Sequence, residues 1–153
     1  MKSYEFLKSE EFVRTIHQTL KEVLSLLLKN DMPFTILTNI SRINFEPSLP
    51  SSVTQNLQQF TLFAIENYTF SSAKLINNHL VFEAGFGEDD FASLVTVPLG
   101  AIVKIIVENV PIFLNISLDI TEHTAEEVSK EDKLKKSFEA LLNNPENKNL
   151  FKK

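Results

Sequence analysis

Between residues 10 and 29, apolar side chains recur at Phe12, Val13, Ile16, Leu20, Val23, Leu24 and Leu27. The i, i+3, i+4, i+7 spacing predicts an amphipathic helix. Leu26 and Leu28 widen the stripe beyond one face. Two explanations fit that surplus: deep burial of the helix, or a second partner along it. Asn30, Asp31 and Pro33 stop the pattern. Next, Phe34, Ile36, Thr38 and Ile40 alternate with Thr35, Leu37 and Asn39, which predicts a strand. Residues 46–58 hold two Pro and three Ser and read as a loop. Residues 60–65 and 92–97 read as strands. Asn77-Asn78 between two apolar runs marks a hairpin, because Asn adopts positive φ at low cost. Pro98 suits a first helical position, and Leu99, Ile102, Val103 and Ile106 follow at helical spacing. Pro111 ends that short helix. Ile112, Leu114, Ile116, Leu118 and Ile120 then alternate as a last strand. The order is helix, meandering strands, short helix, strand. It predicts a mainly β fold with α elements: a small, strongly bent, open antiparallel barrel behind an N-terminal helix.

From about Thr121 the chain becomes charged and poor in large apolar residues. The expected domains are therefore residues 1–120, the barrel with its helix, and 121–153, a charged and partly helical tail. Leu134, Phe138, Leu141 and Leu142 share one face of that expected helix.

The chain has only three glycines, and two of them, Gly85 and Gly87, lie in "LVFEAGFGEDDF". Glycine weakens a strand, so its use there points to a bulge, a bend or a close backbone approach. A peptide laid along such a strand would hydrogen-bond to bare backbone and place side chains beside Phe82 and Phe86. A simple bend of a barrel strand explains the glycines equally well.

Composition removes several function classes. The net charge is −5 and only Arg14 and Arg42 supply guanidinium groups, which is poor ground for nucleic-acid binding. With no Cys, neither disulfides nor thiolate metal sites are possible. No apolar run reaches the roughly 18 residues of a membrane span, and the first residues lack the apolar block of a signal peptide. The expectation is a soluble, cytoplasmic protein without a membrane partner. His17, His79 and His123 are scattered without metal-ligand spacing. Glu88, Asp89 and Asp90 lack the spacing of a calcium loop. "GFG" is followed by no Lys-Ser/Thr pair and opens no helix, so it is no phosphate loop. No nucleophile elbow or acid–base pair is visible. The expectation is a non-enzyme with no catalytic residue, metal or cofactor.

The stretch "LVFEAGFGEDDFASLVTVPLGAIVKIIVEN", residues 80–109, resembles the SspB family, the bacterial adaptors that deliver tagged proteins to the ClpXP protease. The resemblance rests on the Phe-x-Ala-x-Phe-Gly element at Phe82, Ala84, Phe86 and Gly87, followed by Val97-Pro98-Leu99. Upstream, "LLLKNDMPFTILTNIS" is similar to the family's helix end, Pro and first strand. The likeness spans about residues 10 to 120. It departs from the family at Gly85, where a larger side chain is usual, and at Glu88, where a second Gly is usual.

The resemblance implies an Sm-like open barrel whose N-terminal helix pairs two subunits into a homodimer, here through Ile16, Leu20, Leu24, Leu27 and Leu28. It implies a barrel groove that binds ssrA-like degradation tags. The implied peptide-binding residues are Glu83, Ala84, Gly85 and Phe86, joined by Phe63, Ile65, Phe70 and Leu114. The small residues would keep the strand low enough for a peptide to pass. The partners implied are the ClpX ATPase and tagged substrates. ClpX would be met by a C-terminal segment, here Asn149, Leu150, Phe151, Lys152 and Lys153. The family tail is longer and more acidic. A different class also fits a small acidic chain with a Leu-rich helix: a dimeric secretion or assembly chaperone, which would not need the C-terminal segment.

Overall fold

A computed structural model describes residues 2–117. The first compact unit closes at Ser117. The expected tail, with its helix face and residues 149–153, lies outside the described residues, as do the last positions of the alternation through Ile120.

The chain opens with a short helix, α1 (Lys2–Leu7), before the long one, α2 (Glu10–Lys29). Ser9 caps α2: its Oγ accepts from the Phe12 N–H and donates to the Phe6 carbonyl. The Phe6 and Phe12 rings meet across the joint, centroids 4.8 Å apart and tilted by 40°. Asn30 caps the far end, and Asp31 turns the chain at positive φ before Pro33. Val13, Leu20, Leu24 and Leu27 form the buried seam of α2.

Among the described residues eight strands follow: β1 (Phe34–Asn39), β2 (Asn44–Glu46), β3 (Phe60–Ile65), β4 (Lys74–Ile76), β5 (His79–Phe86), β6 (Phe91–Pro98), β7 (Ile102–Val107) and β8 (Val110–Leu114). They make two four-stranded antiparallel sheets, ordered β3-β1-β7-β8 and β2-β6-β5-β4. Alternate residues of each strand point into one core. Phe34, Ile36, Phe63, Ile65, Leu80, Phe82, Val95, Val97, Ile102 and Ile105 meet there with Leu20, Leu24 and Leu27 of α2. Thr38 is fully buried in that row, and its hydroxyl donates to the Thr61 carbonyl at 2.9 Å. The architecture is therefore mixed α and β, with an N-terminal helix against two antiparallel sheets.

The helix predicted after Pro98 is a single 3-10 turn, Leu99–Ala101, and then a strand. The i, i+3 spacing of Ile102 and Ile105 comes from a β-bulge. Thr38 pairs with Ile102 but Leu37 pairs with Lys104, so Val103 is an extra residue. The bulge returns Ile105 to the core three residues after Ile102 rather than two. Asn115 holds it, donating from its N–H to the Val103 carbonyl at 2.8 Å and from Nδ2 to the Ile102 carbonyl at 2.9 Å. β-Branched content favoured the strand, and Gly100 disfavoured a helix.

The 46–58 loop carries one helical turn, α3 (Ser51–Thr54). A further short helix, α4 (Asn67–Ser72), bridges β3 and β4. The hairpin at Asn77-Asn78 forms as the sequence predicts, with Asn77 at φ 54.

The two glycines serve different ends. Gly85 lies in regular β5–β6 pairing opposite Ala92. A Cβ there would overlap the Asp90 carboxylate, which lies over it. Gly87 turns the hairpin at φ +74, and a Cβ there would sit 3.1 Å from Val53 Cγ2 of α3. Gly85→Ala need only swing an exposed carboxylate into water, so its unfolding free energy should change by less than about 1 kcal/mol. Gly87→Ala must hold an L-residue in the left-handed region and should lose about 1–2 kcal/mol. Urea titrations of both variants check the contrast; equal losses would contradict it.

Candidate functional site

Strand parity divides the residues implied to bind peptide. Leu80, Phe82, Ala84 and Phe86 share the inner face of β5, whereas Glu83 and Gly85 point outward. Phe63 and Ile65 point inward from β3, alternating with exposed Leu62 and Ala64. Ile65 is wholly enclosed and has no surface for a ligand. Leu114 sits opposite Lys104 while its neighbour Phe113 sits opposite inward Ile105, so Leu114 faces outward, on the strand at the far edge of the sheet from β3. Phe70, on α4, packs edge-on against Phe34 at 6.4 Å, apart from the Phe86 group.

The arrangement thus brings together Phe63, Ala84 and Phe86, and leaves Glu83, Gly85, Ile65, Phe70 and Leu114 elsewhere. It adds Phe45, which sequence reasoning missed. Phe45 stands between Asn44 and Glu46 on a strand of three residues, too short for alternation to register. Its ring lies 5.7 Å from Phe86 and 6.5 Å from Phe63. Phe63 in turn meets Phe86 at 6.1 Å and Phe82 at 5.8 Å, both edge-to-face. Phe82 is buried to the last atom, whereas Phe45, Ala84 and Phe86 keep partial exposure. The cluster therefore runs from core to surface. β2 and β3 are the terminal strands of their sheets, so Phe45 and Phe63 meet where the two sheet edges face one another.

Around this mouth the polar contacts are local. The Ser93 hydroxyl, opposite Ala84, donates to the Pro47 carbonyl at 3.0 Å and ties the 46–58 loop to β6. On the outer face the Tyr68 hydroxyl donates to the Glu83 carboxylate. That hydrogen bond, and then the carboxylate's charge, hold the Tyr68 hydroxyl above its ordinary pKa. Ser72 accepts from the Glu83 N–H at 2.9 Å, so Glu83 anchors α4 on β5. The glycine-flanked strand is accordingly not bare: Asp90 covers Gly85 on one face, and phenyl rings flank Ala84 on the other.

Chemically, the mouth offers apolar and aromatic surface with backbone polar groups beside it. Among the described residues no group of three or more His, Cys, Asp or Glu could hold a metal. No helix among them is long and apolar enough to cross a membrane.

Leu20, Leu24 and Leu27, expected at a dimer contact, belong to this chain's own core. Only Ile16 and Leu28 of that expected set keep partial exposure. A second row runs beside the core seam: Phe12, Ile16, Thr19, Val23 and Leu26, spaced four and three residues apart in turn. It is half-buried until Leu26, which is 59% exposed.

Comparison of the chain with protein-family models gives no match, and comparison with curated proteins gives none either.

Proposed function

We propose that this chain is a non-catalytic proteolysis adaptor of the SspB kind, which captures peptide tags at the Phe45/Phe63/Phe86 mouth and hands tagged proteins to ClpXP. On this reading the two sheets are an open Sm-like barrel. The observation that carries it is an aromatic cluster continuous with the core yet partly exposed where the sheet edges meet. Such a surface fits apolar side chains of an extended peptide, with backbone beside it to fix the chain. The tail would contact ClpX. Two weak contacts on one molecule make engagement effectively intramolecular and raise avidity on the order of 100-fold. No chemistry is required of the adaptor.

Titration of a fluorescent ssrA-type tag peptide tests the reading. Saturable binding is expected, and Phe86→Ala should weaken it about 10-fold or more, by loss of aromatic contact area. Deleting residues 144–153 should leave that affinity intact and abolish faster ClpXP degradation of a tagged substrate. Absence of peptide binding to the folded protein overturns the reading.

The same reading includes a homodimer through α2. Its support is the second row, apolar but for Thr19, whose 4-3-4-3 spacing matches a helix-pairing seam. Leu26→Lys puts a charge at the exposed end of that row without touching the core. Sedimentation at tens of micromolar should find wild type as dimer and this variant as monomer, since unpaired charge is disfavoured in an apolar contact. A monomeric wild type contradicts the pairing.

A further inference from the structure

The four strands at sheet edges differ in how they are protected. β2 and β4 span only three residues each. β8 carries Pro111 and an extra residue at Ile112, since Phe113 pairs with Ile105 but Pro111 with Ile106. Short length, proline and bulges are the usual means of blunting an edge. β3 has none of them: six residues, Phe-Thr-Leu-Phe-Ala-Ile, regularly paired to β1 on one side and without a strand on the other.

The hydrogen-bond parity of that edge follows from two contacts. Ile40 N–H donates to the Gln59 carbonyl at 2.8 Å, and the Thr61 carbonyl faces β1, where it accepts from the Thr38 hydroxyl; the β1–β3 register is unbroken from there to Ile65. Gln59, Thr61, Phe63 and Ile65 therefore turn their backbone groups toward β1. Leu62 and Ala64, between them, aim theirs at the free edge, and no turn or loop hydrogen bond among the described residues reaches them. Leu62 is also 58% exposed. An extended apolar edge with free donors and acceptors is a template for another strand.

Charge narrows what can lie there. Residues 47–65 carry no charged side chain, and carboxylates bound the run at Glu46 and Glu66. A charge on a docked segment would find no charged partner where it meets β3, and the bounding carboxylates favour basic over acidic flanks.

We propose that the free edge of β3 receives an extended, uncharged peptide segment as an added strand. Its backbone pairs with the N–H and C=O groups of Leu62 and Ala64. Alternate side chains meet the Phe45/Phe63/Phe86 mouth on one face and Leu62 on the other. This rests on the peptide-capture reading and gives its mode of recognition: backbone pairing, with selection for neutral, alternately apolar tags.

The test uses the labelled ssrA-type tag peptide with a single backbone N-methyl group placed at each position in turn, a series of the same peptide flanked by Lys or Glu, and the full-length protein. Methylation at every second residue of the bound window should weaken binding about fivefold or more, with the intervening positions nearly silent, because only alternate amides face β3. Lys flanks should bind tighter than Glu flanks. Leu62→Pro should keep a cooperative melt, since the N–H it removes faces the edge, and should lose the peptide. Peptide binding with no period-two methyl pattern overturns edge pairing while leaving the capture site standing. Failure of every peptide to bind overturns the capture reading itself. Concentration-dependent self-association abolished by Leu62→Pro, with tag affinity unchanged, assigns the edge to a second copy and overturns the proposal.

Discussion

Phe82→Ala is expected to lower the unfolding free energy by about 3–5 kcal/mol, the cost of emptying a phenyl site in a core that cannot collapse around it. Phe82 is fully buried. It lies against Phe63 at 5.8 Å, and Phe63 supports both Phe45 and Phe86. The loss is a large share of the roughly 5–15 kcal/mol that holds an ordinary domain together. A thermal melt should fall by roughly 6–20 °C, at about 2–4 °C per kcal/mol for a domain of about 150 residues. Phe86→Ala, at the exposed end of the same cluster, should cost markedly less stability and mainly peptide affinity. Equal destabilisation by the two changes would mean that the cluster is core throughout and offers no surface.

Leu24→Lys is expected to abolish cooperative folding, or to cost on the order of 4 kcal/mol or more, because the site can neither hydrate an ammonium nor pair it. Leu24 has no exposed surface and lies in the core with Leu20 and Leu27. Leu26→Lys, two residues on, should leave the melt almost unchanged and alter assembly alone. Circular dichroism and sedimentation on the two variants separate folding from association on one helix. A Leu24→Lys protein that melts like wild type would show that this seam faces a partner after all, as the family likeness implies.

The helix itself was legible because its signals agree. Apolar spacing from Phe12 to Leu27 and the stop at Asn30, Asp31 and Pro33 both select residues 10–29. Which leucines serve the core and which are spare was not legible, since adjacent rows on one helix look alike until the sheets are in place. β7 misled for a geometric reason: the 3-10 turn Leu99–Ala101 buries Leu99 and Ile102 three residues apart, the spacing that otherwise marks a helix. The short helix α4 leaves little trace, with no side-chain cap at Glu66 and no buried residue.

At the candidate site, Phe63, Ala84 and Phe86 were legible from strand alternation and the family likeness. The grouping of Glu83 with Ala84, and of Gly85 with Phe86, was not tenable, because neighbours on a strand face opposite ways. Phe45 could be placed only by the fold, which sets a three-residue strand against β6 and turns its one phenyl ring toward Phe86. The unguarded edge of β3 is written in the sequence as an uncharged run, yet its meaning depends on β3 being the last strand of its sheet.

Amide chemical-shift mapping of the isotope-labelled protein, with the ssrA-type tag peptide added to about 1 mM, where even a weak contact near −4 kcal/mol is half formed, tests the central claim most directly. The account predicts saturable shifts concentrated at Phe45, Leu62, Phe63, Ala84 and Phe86, with the outer-face residues Lys104 and Leu114 unmoved. No shifts, or shifts confined to α2 or to the outer face around Leu114, would contradict it.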